Sequence, residues 1–148
     1  MKREIKQKLL KHINFLENEL SYYPKFRQLT EPVFREDDDK RRSVERWVEN
    51  IINSLVDISK NILTLENIRL PDTYKDIVLS ISIVKELNIN NAESLARWVR
   101  LRNIVAHEYL DIRWSSINKF VSETEPLFKG FLEKVKDYLD KITESEAQ

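Results

Sequence analysis

Arg102 and His107 are the residues whose types and spacing could do chemistry. They stand five positions apart, with Asn103 between them. Arg97, Arg100 and Arg102 crowd the segment from Leu95 to Asn103, which carries no acid. A planar guanidinium grips phosphate oxygens bidentately. An imidazole beside it moves protons near neutral pH. Together they suit phosphodiester chemistry without a metal, with arginine stabilising charge on the phosphate and histidine handling the proton.

These residues need a helix to position them. On a wheel advancing roughly 100° per residue, Leu95, Trp98, Val99, Val105, Ala106 and Tyr109 form one apolar stripe facing the core. Arg102 falls within about 20° of the centre of that stripe. An arginine cannot shed its charge, and burying it alone is costly. It must meet a buried acid, reach a cleft or sit at an interface. Glu45 and Asp57 on an earlier helix are candidate acids. Arg100, Asn103 and His107 make a second row beside the stripe. Arg102 and His107 lie roughly 140° apart around such a helix and about 7.5 Å along it. The long arginine side chain must therefore bend to share a site with the imidazole. A histidine near a helix C-terminus can also simply complement the dipole.

Composition narrows the rest. The 148 residues include one Gly, four Pro, no Cys and two His, with 25 basic and 25 acidic side chains. A single glycine excludes a phosphate-cradling glycine loop and a dinucleotide-binding turn. So few turn residues exclude a β-sandwich or barrel. The lack of Cys excludes a disulfide framework and a thiolate metal site. No apolar run reaches the length of a membrane span. The start, Met-Lys-Arg-Glu, leads into an amphipathic stretch rather than a leader, so a cytoplasmic location is expected. Zero formal net charge argues against a uniformly basic nucleic-acid coat but leaves room for a local basic patch.

The expected fold is all-α: an up-and-down bundle of about five helices in one domain over residues 1–148, frayed from about 142. The first helix runs from Lys2 to Tyr22, with Ile5, Leu9, Ile13, Leu16 and Leu20 inward. Pro24 and Pro32 bracket a connector. The acidic run Glu36 to Asp39 starts a long helix reaching about Asn67, with Val44, Trp47, Val48, Ile51, Leu55, Ile58 and Ile62 inward. Pro71-Asp72-Thr73-Tyr74 opens a third helix that ends near Asn88. A fourth runs from about Asn91 to Leu110. A fifth covers roughly Arg113 to Lys141, and Pro126 within it implies a kink or a fresh start.

Arg102-Asn103-Ile104-Val105-Ala106-His107-Glu108-Tyr109 resembles the R-N-x-x-x-H-x-Y motif of the HEPN superfamily, and more narrowly that of HepT-like toxins. Ser43-Val44-Glu45-Arg46, Val56-Asp57-Ile58, Pro71 to Tyr74 and Leu101 agree with it. The resemblance covers roughly Lys2 to Tyr138. Asn53 and Asn61 depart from it, standing where relatives often carry Glu and His.

The resemblance implies a HEPN helical bundle and a homodimer whose motif helices meet at a cleft on the two-fold axis. It implies a metal-independent ribonuclease toxin without a cofactor, cleaving RNA, with tRNA as target. Arg102 and His107 would be the catalytic pair and Asn103 the supporting polar residue. Attack would come from a ribose 2′-OH on the adjacent phosphate. The implied partner is a minimal nucleotidyltransferase antitoxin that transfers AMP from ATP to the motif tyrosine, Tyr109. As i+7 from Arg102 on a continuous helix, Tyr109 would bring a phosphate onto the Arg102 site. The alternative is a non-catalytic HEPN module that holds a nucleotide or substrate for such a nucleotidyltransferase.

Arg97, Arg100 and Arg46 are the candidate RNA contacts beyond the motif. Arg46 stands equally as a rim contact or an ion pair. His12 reads as an ordinary first-helix residue. Trp47, Trp98 and Trp114 read as core or dimer packing at helical spacing, and Tyr74 as a packing residue at a helix start.

Overall fold

Asp37 starts the central helix of the bundle. Its backbone is extended, and Oδ1 accepts hydrogen bonds from the Asp39 and Lys40 N–H groups, each at 3.1 Å. That satisfies donors left open at a helix N-terminus, and Asp38 and Asp39 complement the dipole. Helix α4 then runs Asp38–Leu65, about 42 Å long at 1.5 Å per residue. Val44, Trp47, Val48, Ile51, Leu55, Ile58 and Ile62 are all buried.

The end of α4 needs a left-handed residue, and the chain spends no glycine there. Asn67 takes φ 57°. Its N–H bonds Thr64 O, and the Ile68 N–H reaches back to Leu63 O at 2.9 Å. This is a Schellman closure with asparagine in the usual glycine place. Asn88 solves the same problem later, with φ 54°. Asparagine tolerates this region better than other residues with a Cβ.

The structure is a computed structural model and describes residues 2–147. Around α4 lie α1 (Lys2–Leu20), α2 (Tyr23–Arg27), α3 (Glu31–Glu36), α5 (Tyr74–Ser80), α6 (Ala92–Arg97), α7 (Leu101–His107), α8 (Leu110–Glu123) and α9 (Glu125–Ala147). No strand occurs among the described residues. Helix α1 packs along α4 and α9, and α4 also meets α3, α5, α7 and α8. The buried apolar side chains form one cluster. At its centre Trp47 packs edge-on to Tyr23 and Phe120, with centroids at 4.8 and 5.6 Å. Its Nε1–H donates to Glu19 O at 2.7 Å.

The all-α bundle agrees with the pattern, but it has more breaks than five helices. Pro24 and Pro32 sit in the first turns of α2 and α3, where a missing N–H costs nothing. The third expected helix is α-helical only over Tyr74–Ser80 and continues as two short 3-10 turns to Leu87. The fifth divides at Thr124, and Pro126 belongs to the first turn of α9. Helix α9 continues through Ala147, past position 142 where fraying is expected. Ile142 packs on the core, and Glu146 pairs with Lys6 of α1.

The fourth expected helix, Asn91 to Leu110, is the main correction. It is α6, a 3-10 turn over Trp98–Arg100, and α7. Glu108 and Tyr109 are then extended, with ψ 165° and 162°, before α8 begins. A 3-10 turn advances 120° per residue rather than 100°, so three residues rotate the wheel by roughly 60°. The apolar stripe therefore does not run straight. Leu95 and Val105 are buried and Trp98 and Val99 half-buried, but Ala106 and Tyr109 are exposed. The break lets α8 turn back onto the core, where Trp114 meets Phe34 at 5.4 Å and Phe120 meets Trp98 at 5.5 Å.

Candidate functional site

Helix α7 carries the site and is anchored by Leu101 and Val105, both buried against α4 and α8. Arg102 follows Leu101 and is half-buried. Its guanidinium carbon lies over the Tyr74 ring, 5.0 Å from the centroid. No ion pair involves Arg102 among the described residues. Glu45, one of the candidate acids, is taken: Arg113 Nε donates to its Oε2 at 2.7 Å, and the pair is nearly buried. Asp57 makes no ion pair among the described residues either. The charge on the apolar face is thus neither neutralised nor left in the core. It faces an aromatic ring, which attracts a cation without cancelling its charge.

A cavity of about 580 Å³ opens beside it, lined by Glu49, Tyr74, Lys75, Val99, Arg100, Arg102, Asn103 and Ala106. Three of these eight side chains are cationic and one is acidic, so the cavity suits an anion. Val99, Arg102, Asn103 and Ala106 follow i, i+3, i+4, i+7 spacing, which puts them on one face despite the 3-10 turn. Arg100 also lines two neighbouring hollows with Arg97. Arg100 thus links Arg97 to Arg102 across these hollows; Arg97 and Arg100 are exposed and Arg102 is half-buried. Arg46 does not join them. It is exposed on α4, one turn before Glu49, and makes no ion pair among the described residues.

His107 and Tyr109 lie outside this cavity. His107 is the exposed last residue of α7. Asn103, one turn below it, lines the cavity and connects the two in sequence. Tyr109 is 82% exposed and is the extended residue that precedes α8. It therefore does not share a helical face with Arg102; the i+7 relation fails because α7 ends at His107. What brings Tyr109 outward is the extended pair Glu108-Tyr109, where no proline or glycine marks a break. Among the described residues no cluster of three His, Asp or Glu side chains is placed to hold a metal ion.

Other residues fall as their patterns suggest. His12 is half-buried on α1, and Trp47, Trp98 and Trp114 pack in aromatic contacts. The buried Asn61 Nδ2 has no hydrogen-bond partner among the described residues. Tyr74 is the residue that sequence reasoning undervalues: it is 44% exposed and adjoins Arg102. Only the packing of α5 against α4 and α6 brings it there. No spacing in the chain signals it.

The chain is thus an all-α bundle that carries an unneutralised arginine and an exposed histidine on one short helix. The solved structures include a tri-AMPylated Shewanella oneidensis HEPN toxin in complex with its MNT antitoxin. This chain superposes on it with a TM-score of 0.72 at 18% identity, covering 86% of this chain and 96% of that one. No curated protein sequence matches this chain. The ribonuclease HepT-like family matches residues 9–135, and the chain belongs to that family.

Proposed function

We propose that this protein is a metal-independent endoribonuclease toxin, acting on RNA such as tRNA in the cytoplasm. It works as a homodimer with Arg102 and His107 as the catalytic pair. The observation that carries the reading is the state of Arg102: a guanidinium at the mouth of a cationic cavity with no carboxylate partner. Such a group is free to take a phosphate. No described helix is long and apolar enough to cross a membrane.

One copy does not complete the site. Arg102 and His107 diverge by roughly 140° on α7, and only Arg102 lines the cavity. A second copy meeting α7 across a two-fold axis would place its His107 near this Arg102. It would also cover Ala106 and Ile112, which one copy leaves exposed.

The chemistry follows from the groups. His107 takes the proton of a ribose 2′-OH, whose oxygen forms a bond to the adjacent phosphorus. The bond to the 5′-oxygen breaks, and that oxygen takes a proton from solvent. Arg102 stabilises the charge on the pentacoordinate phosphate. Asn103 supports the pair, and Arg97 and Arg100 hold flanking phosphates, with Arg46 as an outer contact.

Silencing is proposed to come from a minimal nucleotidyltransferase antitoxin. The Tyr109 hydroxyl attacks the α-phosphorus of ATP and releases pyrophosphate. The exposure of Tyr109 supports this role better than a place on the core stripe would, because a partner enzyme can reach it.

Expression without a partner tests the reading. The toxin slows growth, His107→Ala does not, and co-expressed nucleotidyltransferase adds AMP mass that Tyr109→Phe abolishes. Unimpaired growth with unmodified wild-type protein would move the assignment to a non-catalytic module that binds a nucleotide or substrate at the same cavity.

A further inference from the structure

Tyr74 carries two cations, not one. Lys60 Nζ of α4 lies over the same ring, 4.9 Å from its centroid. With Arg102 at 5.0 Å, the two charges are at most about 10 Å apart. Neither makes an ion pair among the described residues. Asp57, one turn before Lys60, would be the natural i, i+3 partner, yet it does not reach it. Like charges this far apart repel only weakly through water, so both can remain unpaired and available to an anion. The backbone that carries the ring is capped: Thr73 Oγ1 accepts from the Asp76 N–H at 3.1 Å, at the start of the helix that Tyr74 begins. The ring is 44% exposed, and Lys60 and Arg102 are each half-buried.

We propose that Lys60 and Tyr74 extend the Arg102 site into a two-phosphate subsite for a single RNA strand. Arg102 holds the scissile phosphate and Lys60 an adjacent one. Tyr74 is a positioning residue that keeps Arg102 in place without using up its hydrogen-bond donors, as a carboxylate would. The proposal rests on the ribonuclease reading of this site. Lys60 does not line the main cavity; the ring links it to Arg102, so the strand would cross Tyr74 from one cation to the other.

The test is binding of a single-stranded oligoribonucleotide across a salt series, in a His107→Ala background that leaves the RNA intact. Each phosphate contact on a single strand contributes about 0.7 to the slope of log affinity against log salt. Lys60→Gln should lower the slope by about 0.7, and weaken binding roughly fivefold at 0.1 M salt. Lys60→Arg should restore both. In the cleaving protein, Tyr74→Leu should lower kcat roughly 2- to 5-fold with little change in KM, and Tyr74→Phe should recover most of it. Binding with an unchanged slope in Lys60→Gln overturns the subsite alone. Equal kcat losses in Tyr74→Leu and Tyr74→Phe overturn the positioning role. A His107→Ala parent that binds no RNA at any salt overturns the subsite and the ribonuclease reading together. A parent that binds while wild type of unmodified mass never cleaves overturns the ribonuclease reading and leaves the slope to decide the subsite.

Discussion

Replacing Arg113 and replacing Arg102 should have opposite consequences, although the two arginines flank the same break in the chain. Arg113 joins Glu45, whose residue is 8% exposed, through an Nε hydrogen bond of 2.7 Å. Arg113→Ala strands a nearly buried carboxylate. Removing one partner of a buried pair costs about 3–5 kcal/mol. The remaining solvent access of both side chains favours the lower end, about 3 kcal/mol. For a chain of this length each kcal/mol moves Tm by roughly 2–4 °C, so the expected loss is about 6–12 °C. Arg102→Ala removes a partly exposed contact with an aromatic ring, worth about 0.5–1 kcal/mol, or roughly 1–4 °C. Thermal melts followed by circular dichroism at neutral pH and moderate salt measure both. RNA cleavage should reverse the order, with Arg102→Ala inactive and Arg113→Ala active below its melting temperature. If Arg102→Ala melts as low as Arg113→Ala, then Arg102 is a structural cation and the site argument fails.

Three further outcomes are expected. Mixed and re-equilibrated Arg102→Ala and His107→Ala chains should regain cleavage, because one of the two clefts in a mixed dimer then carries both native groups; no recovery would show that each copy uses its own pair. Tyr109→Phe should leave cleavage intact and block AMP addition, read by intact mass. Glu125 is the subject of a pH prediction: hydrogen bonding from Lys129, with further help from Arg27, holds its carboxyl below the usual range despite burial. A carboxyl lowered in the fold stabilises fully above its unfolded value near about 4.3, and that stability is lost as pH falls through the lower folded value. Wild-type Tm should fall below roughly pH 4.5 more steeply than that of Glu125→Gln, and parallel curves would contradict this.

Helix faces were legible in the sequence wherever apolar periodicity ran unbroken. Leu9, Ile13, Leu16 and Leu20 of α1 are buried as their spacing requires, and so is the inward row of α4. Caps were legible too, because Asp37 and Pro126 act locally. The breaks around the motif were not. Nothing in Trp98-Val99-Arg100 announces a 3-10 turn, and Glu108-Tyr109 holds neither proline nor glycine. Packing of α8 onto Phe34 and Trp98 decides both. The misplacement of Tyr109 on the core stripe follows from extending one helical wheel across that break. Arg102 was recognisable as anomalous because a permanent charge on an apolar face demands a reason. The ring it faces, Tyr74, lies 28 positions away and on another helix, where only tertiary structure connects them.

The central claim is that Arg102 and His107 cleave RNA without a metal. Purified protein incubated with total tRNA in EDTA, beside His107→Ala and Arg102→Ala prepared identically and with intact mass recorded, tests it most directly. The account predicts cleavage by the unmodified wild type and none by either variant. Cleavage by all three, or none by wild type whose mass shows no added AMP, would contradict it.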